Sequence, residues 1–195
     1  MKRFEPLIEV SDDGLYTPEV RRWSEEKYNL LGAYMEIFTR TMSQKWSKLV
    51  YIDMFAGAGY SKIKSTGKIL KSSALIGMSL PICFDKYILC EADTNRFRAL
   101  EARVKRDHSD KNVVLIHGDV NDKIDVLKSH IPRFSRSEGV FSFSFVDPFS
   151  LNLKFNTIAT LGRTFKMDFL ILLALGMDAN RNFRSYVTNN RLVLL

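Results

Sequence analysis

Tyr28, Leu31, Met35, Phe38 and Met42 recur at three- and four-residue steps, the period of one face of a helix. A helix is predicted from Ser24, which is placed to cap it, with Glu25 and Glu26 in the first turn beside the positive end of the dipole. From Leu49 onward short apolar runs alternate with helical patterns. The runs predict strands at 48–54, 86–91, 113–117, 140–146 and 169–173. Helices are predicted at 72–80, 94–107, 121–130 and 155–164, with Asp93 or Thr94 capping the second and a last helix starting near Asp178. In the fourth strand Phe141, Phe143 and Phe145 point one way and Ser142 and Ser144 the other. Residues 1–22 read as irregular, with turns at Ser11–Gly14 and Pro18, and residues 60–71 as a Lys/Ser/Gly-rich loop.

Repeated strand–helix units imply an α/β fold: a Rossmann-like, open, mostly parallel sheet with helices on both faces. Residues 1–45 form an N-terminal extension and helix packed on the core, and residues 46–195 the Rossmann-like domain. The apolar end, Leu192-Val193-Leu194-Leu195, suggests a shortened fold lacking C-terminal strands, or a fragment of a longer one.

In a parallel sheet the carboxyl ends of the strands share an edge, and four of these ends carry polar or glycine signals. The first strand ends at Asp53, followed by Met54-Phe55-Ala56-Gly57-Ala58-Gly59. Gly57 and Gly59 can take positive φ and let backbone N–H groups approach a ligand. The second strand ends at Glu91, the third runs into His117-Gly118-Asp119, and the fourth ends at Asp147-Pro148-Phe149. This set suits S-adenosylmethionine. Glu91 can accept both ribose hydroxyls, a charged hydrogen bond worth about 1.5–3 kcal/mol. Asp119 can accept from the adenine amine, the Gly57–Gly59 turn can meet the methionine carboxylate, and Asp53 can meet its ammonium, directly or through water. Each residue also has a plainer use: a tight turn for the glycines, a solvated strand end for Glu91, a helix cap for Asp119, a turn starter for Asp147. His117 reads as a strand-end histidine, and His108 and His130 as surface residues. The dinucleotide fingerprint G-x-G-x-x-G fails because Lys62 stands at its third glycine, and no phosphate-loop motif is present.

The 195 residues suffice for one domain with a full core. Neither a signal peptide nor a membrane-spanning run is visible. Cys83 and Cys90 read as reduced core residues, and a cytoplasmic setting follows from them. The net charge of +7 favours acidic partners and is compatible with DNA or RNA. Its lysines cluster at Lys62–Lys71 and its arginines at Arg96–Arg106, both read as solvated faces.

Trp23-Ser24-Glu25-Glu26-Lys27, the Tyr51–Gly59 turn and Val146-Asp147-Pro148-Phe149 together resemble the three-Cys-motif partner protein family, and more broadly the class I methyltransferases that use S-adenosylmethionine. The resemblance runs from about Trp23 to Asp178. It implies a class I methyltransferase fold, with Asp53, Phe55, Gly57, Gly59, Glu91 and Asp119 on the cofactor. It also implies that Asp147-Pro148-Phe149 stands where amino-methyltransferases carry D-P-P-Y, holding a target amine in line with the methyl group. Phe149 replaces the second proline of that motif. The expected activity is methylation of an amino group, of nucleic acid for example. The alternative is a non-catalytic subunit partnered with a neighbouring three-cysteine protein, in a phage-related or defence setting.

Overall fold

The computed structural model describes residues 9–135, 138–148 and 153–172. In chain order the elements are β1 (Glu9–Val10), β2 (Glu19–Val20), α1 (Trp23–Met42), β3 (Lys48–Asp53), β4 (Tyr60–Ile63), β5 (Ile69–Lys71) and α2 (Ser73–Met78). They continue as β6 (Lys86–Glu91), α3 (Thr94–Asp107), β7 (Val113–His117), α4 (Ile124–His130), β8 (Val140–Val146), α5 (Phe155–Thr164) and β9 (Met167–Ile171). The predicted strand at 169–173 thus begins two residues early. The helix expected near Asp178, and any strand beyond residue 172, lie outside the described residues.

Five strands form one all-parallel sheet in the order β7-β6-β3-β8-β9. The chain builds outward from β3 through β6 to β7, then returns to the other side of β3 for β8 and β9. Both faces are covered, and the alternation along each strand divides the core. Leu49, Tyr51, Tyr87, Leu89, Phe143 and Phe145 pack under α1, α2 and α3. Val50, Ile52, Ile88, Cys90, Val140 and Val146 pack under α4 and α5, against Leu127 and Leu161. The stripe Tyr28, Leu31, Met35 and Phe38 is the buried face of α1. Its Phe38 ring joins Phe84, Phe141 and Phe143 at centroid distances of 5.2–6.0 Å, contacts worth about 0.5–1.5 kcal/mol each beyond area burial.

The expected helix start is corrected. α1 begins at Trp23, one residue early; Arg22 occupies the cap position, and Ser24 is buried without capping. Asp93 does cap α3, accepting from the Arg96 N–H at 2.9 Å.

Residues 60–71 are not a loop, and residues 9–20 are not wholly irregular. β1, β5, β4 and β2 form a second, four-stranded sheet in that order. β4 and β5 make a hairpin turned at Gly67, whose φ is +75°. Tyr60, Ile63, Ile69 and Leu70 are buried beneath the lysines that mask the pattern. β1 pairs antiparallel with β5 and β2 parallel with β4. Two-residue strands carry no readable alternation; they exist because a distant hairpin offers them an edge. Of the clustered lysines, Lys64 faces Glu19 at 4.0 Å and Lys68 faces Glu9 at 3.8 Å.

The N-terminal strap carrying β1 and β2 is tied down by Arg103, a residue expected on a solvated face. Its side chain has no exposed surface. Its guanidinium donates to both Asp13 carboxylate oxygens at 2.8 and 2.6 Å, to Thr17 Oγ1 at 2.9 Å and to the Ala58 carbonyl at 2.7 Å. It also lies 4.1 Å from the Tyr60 ring centroid. The hydrogen bond from Arg103, above the other causes, holds the Asp13 carboxyl down at about 2. His108, also expected at the surface, is buried at the end of α3, and burial lowers its pKa.

Asp13→Asn removes a partner from a guanidinium that has no water to turn to. The expected loss is about 3–5 kcal/mol of unfolding free energy in urea. The double variant Asp13→Asn/Arg103→Met should recover part of it, because the unpaired charge is then gone.

Candidate functional site

A cavity of about 630 Å³ opens at the carboxyl edge of the large sheet. It lies where the strand order reverses, beside the ends of β3 and β8, the place where open α/β sheets bind ligands. Its volume falls within the range of small-molecule sites, about 300–1,000 Å³.

Four of the sequence-derived site residues line it: Phe55, Gly57, Asp147 and Pro148. Gly57 has φ +67°, and a methyl group added there would meet nothing within 4 Å. Gly59 does different work. Its φ is +86°, and a methyl group there would stand 3.1 Å from Leu75 and 3.3 Å from Leu100. One glycine gives the turn its open wall; the other lets the turn sit down on the core.

Asp53 and Glu91 stand behind this wall. Asp53 is fully buried. Its carboxylate accepts from the Tyr51 hydroxyl at 3.0 Å and the Phe55 N–H at 3.2 Å, and from Ser73. Burial, outweighing these bonds, raises its pKa to about 6. Glu91 accepts from the Gly57 N–H through one oxygen and from the Asp93 N–H through the other, both at 2.8 Å. The Gly57 N–H, expected to face a ligand, is spent on Glu91, and this bond sets the shape of the turn. Asp119 is exposed beyond β7, closes a turn by accepting from the Asn121 N–H at 2.8 Å, and does not line the cavity. His117 is exposed, stacked on Phe97 at 4.7 Å. Phe149 lies outside the described residues.

The opposite wall comes from segments that periodicity reads as core or loop. Trp23, Lys27 and Tyr28 project from the first turns of α1, and Arg21 and Pro18 from the strap. Lys27 donates to Asp147 Oδ2 at 2.5 Å and its ammonium lies 4.9 Å from the Trp23 ring and 4.8 Å from the Tyr28 ring. Tyr28 in turn shares a hydrogen bond with Ser61 at 2.9 Å. Ser72, at the start of α2, is 4% exposed and lines the cavity, and its hydroxyl has no partner among the described residues. The four-residue step from Trp23 to Lys27 was the available signal for this wall. Ser61 had none, because its strand was hidden in a lysine-rich stretch, and Ser72 read only as the first residue of a predicted helix.

No cluster of metal-ligating side chains occurs among the described residues, and no helix among them is long and apolar enough to cross a membrane. Cys83 and Cys90 are both free thiols, Cys90 buried and Cys83 half-buried. No protein-family model matches the chain, and no curated protein matches it.

Two outcomes follow from this geometry. Gly59→Ala and Gly57→Ala share the strain of positive φ, but only the first adds a collision, so Gly59→Ala should lower the melting temperature more. Asp53 has a folded-state pKa above its unfolded value, so folding is favoured while it is protonated. That contribution is full below about pH 4 and is lost as pH rises through 6, on the order of 3 kcal/mol in all. Urea unfolding between pH 4 and pH 7 should show this loss in the wild type, and Asp53→Asn should flatten it.

Proposed function

We propose that the chain is a methyltransferase-like protein that binds S-adenosylmethionine in the cavity at the carboxyl edge of its parallel sheet, with an amino group of nucleic acid as the acceptor class. The observation that carries the reading is the convergence of the Phe55–Ala58 turn and Asp147–Pro148 on one cavity at the reversal of strand order. The unpartnered, buried Ser72 hydroxyl fits a ligand with a polar group to offer, and Trp23, Phe55 and Tyr28 fit one with an adenosine-sized apolar body.

The cofactor supplies an electrophilic methyl group on a sulfonium. What the chain supplies is placement, which in favourable cases is worth about 7–11 kcal/mol. Glu91 stands behind the wall with its oxygens on the Gly57 and Asp93 N–H groups, so its part is to fix the turn that the cofactor meets. Asp119, outside the cavity and engaged on the Asn121 N–H, is not assigned the adenine amine. Asp53 supports the turn from within. Asp147 and the Pro148 carbonyl orient the acceptor amine, and Lys27 must yield Asp147 for this to happen.

That ion pair also favours a second reading. With its carboxylate held by an ammonium, Asp147 is poorly placed to accept from an amine, as expected of a non-catalytic subunit partnered with a three-cysteine protein.

Titration calorimetry with S-adenosylmethionine tests the binding site. Saturable heat and a rise in melting temperature are expected, and Trp23→Ala should weaken binding at least tenfold while the protein stays folded. Absence of heat and of any thermal shift at millimolar cofactor rejects the reading. Retained binding without methyl transfer to DNA or RNA would favour the second.

A further inference from the structure

A second and larger hollow, of about 1,090 Å³, lies at the other edge of the same sheet. It is bounded by Ile131–Phe134, which lead into β8, and by Gly162–Lys166, which lead into β9. Its place at the amino ends of the strands puts it on the far side of the sheet from the cavity described above, and its argument does not depend on what fills that cavity.

Three observations bear on what this groove takes. First, Arg133, Arg163 and Lys166 all line it and are exposed, and none has a carboxylate partner among the described residues. The lining carboxylate, Asp125, is engaged by Lys128 at 2.8 Å. This differs from the Lys62–Lys71 cluster, where Glu9 and Glu19 face the lysines across the small sheet. Second, the Phe134 ring is 56% exposed beside these cations. It is braced edge-on by Trp46 at 6.3 Å, and Trp46 is itself stacked on Phe141 at 4.8 Å. Third, Ser142 lines the groove at 1% exposure, and its hydroxyl has no partner among the described residues. Burying a hydroxyl without a hydrogen bond is costly, and a ligand oxygen in the groove would relieve that cost.

We infer that this groove binds single-stranded nucleic acid, with phosphates on Arg133, Arg163 and Lys166 and a base stacked on Phe134. Cations along a channel together with an exposed aromatic ring are the two elements by which such strands are held without regard to sequence. An acidic polypeptide could use the same three cations, but its charged residues carry no ring, whereas every nucleotide joins a charge to a flat base that can lie against Phe134. A duplex keeps its bases stacked within itself and cannot present one.

The test is fluorescence anisotropy of the full chain with a labelled oligothymidylate of about 12 nucleotides, over a range of salt concentrations. Binding should weaken with salt, with a slope of about −0.7 per phosphate contact. Arg133→Gln/Arg163→Gln/Lys166→Gln should lower affinity at least tenfold and make the slope shallower by about 2. Phe134→Ala should lower affinity about tenfold and leave the slope unchanged. Circular dichroism and melting temperature confirm that each variant is folded; Arg163→Gln alone replaces the triple variant if the latter is not. The inference is overturned if the wild type does not bind. It is also overturned if the charge variant keeps wild-type affinity and slope, or if Phe134→Ala binds as well as the wild type. Competition by polyglutamate equal to that by unlabelled oligonucleotide would assign the groove to an acidic polypeptide instead.

Discussion

A guanidinium with no exposed surface must find all its hydrogen-bond partners inside the protein, and at Arg103 those partners come from two distant parts of the chain. Asp13 and Thr17 belong to the strap, Ala58 to the glycine turn, and Arg103 itself to α3. The strap cannot leave without stranding a charge, and the turn cannot shift without losing its bond to that charge. Burial of an ion pair brings little net stability of its own. Its consequence here is uniqueness of arrangement: the segment carrying Pro18 and Arg21 is held where it becomes a wall of the cavity.

The parallel sheet then decides where chemistry can occur. Because β6 and β7 lie on one side of β3 while β8 and β9 lie on the other, the segments leaving β3 and β8 diverge, and a hollow opens between them at the carboxyl edge. The acids at that edge have unequal situations. Asp53 is held by the Tyr51 and Ser73 hydroxyls and the Phe55 N–H, and Glu91 by two backbone N–H groups, whereas Asp147 reaches the cavity and is met by Lys27. The acids therefore divide into those that shape the turn and one that faces the cavity, a division that residue type alone does not express. At the amino edge the same sheet produces the opposite surface, in which cations gather around a braced aromatic ring.

The large sheet was legible because its signals are local. A run such as Leu49–Asp53 is buried on both faces, so every residue in it is apolar until the terminal acid; β6 behaves likewise. The α1 stripe was legible for the same reason, each buried residue recurring at the helical period. The positive φ of Gly57 and Gly59 follows from what only glycine tolerates. The small sheet escaped because its strands are two to four residues long and its lysines alternate with buried apolar residues. The solvated reading of Arg103 and the surface reading of His108 failed because burial of a polar side chain depends on partners far away in the chain, as Asp13 is from Arg103.

The sequence by itself determined the strands of the large sheet and the helices between them, the parallel α/β class, and the candidate acids and glycines at one edge, since each follows from local periodicity and backbone preference. Only the tertiary structure decided that the strap closes the cavity, that Lys27 meets Asp147, that Glu91 serves the turn, and that cations collect around Phe134 at the far edge. Those are contacts between residues dozens of positions apart, and they exist only once packing has brought distant segments within hydrogen-bond reach.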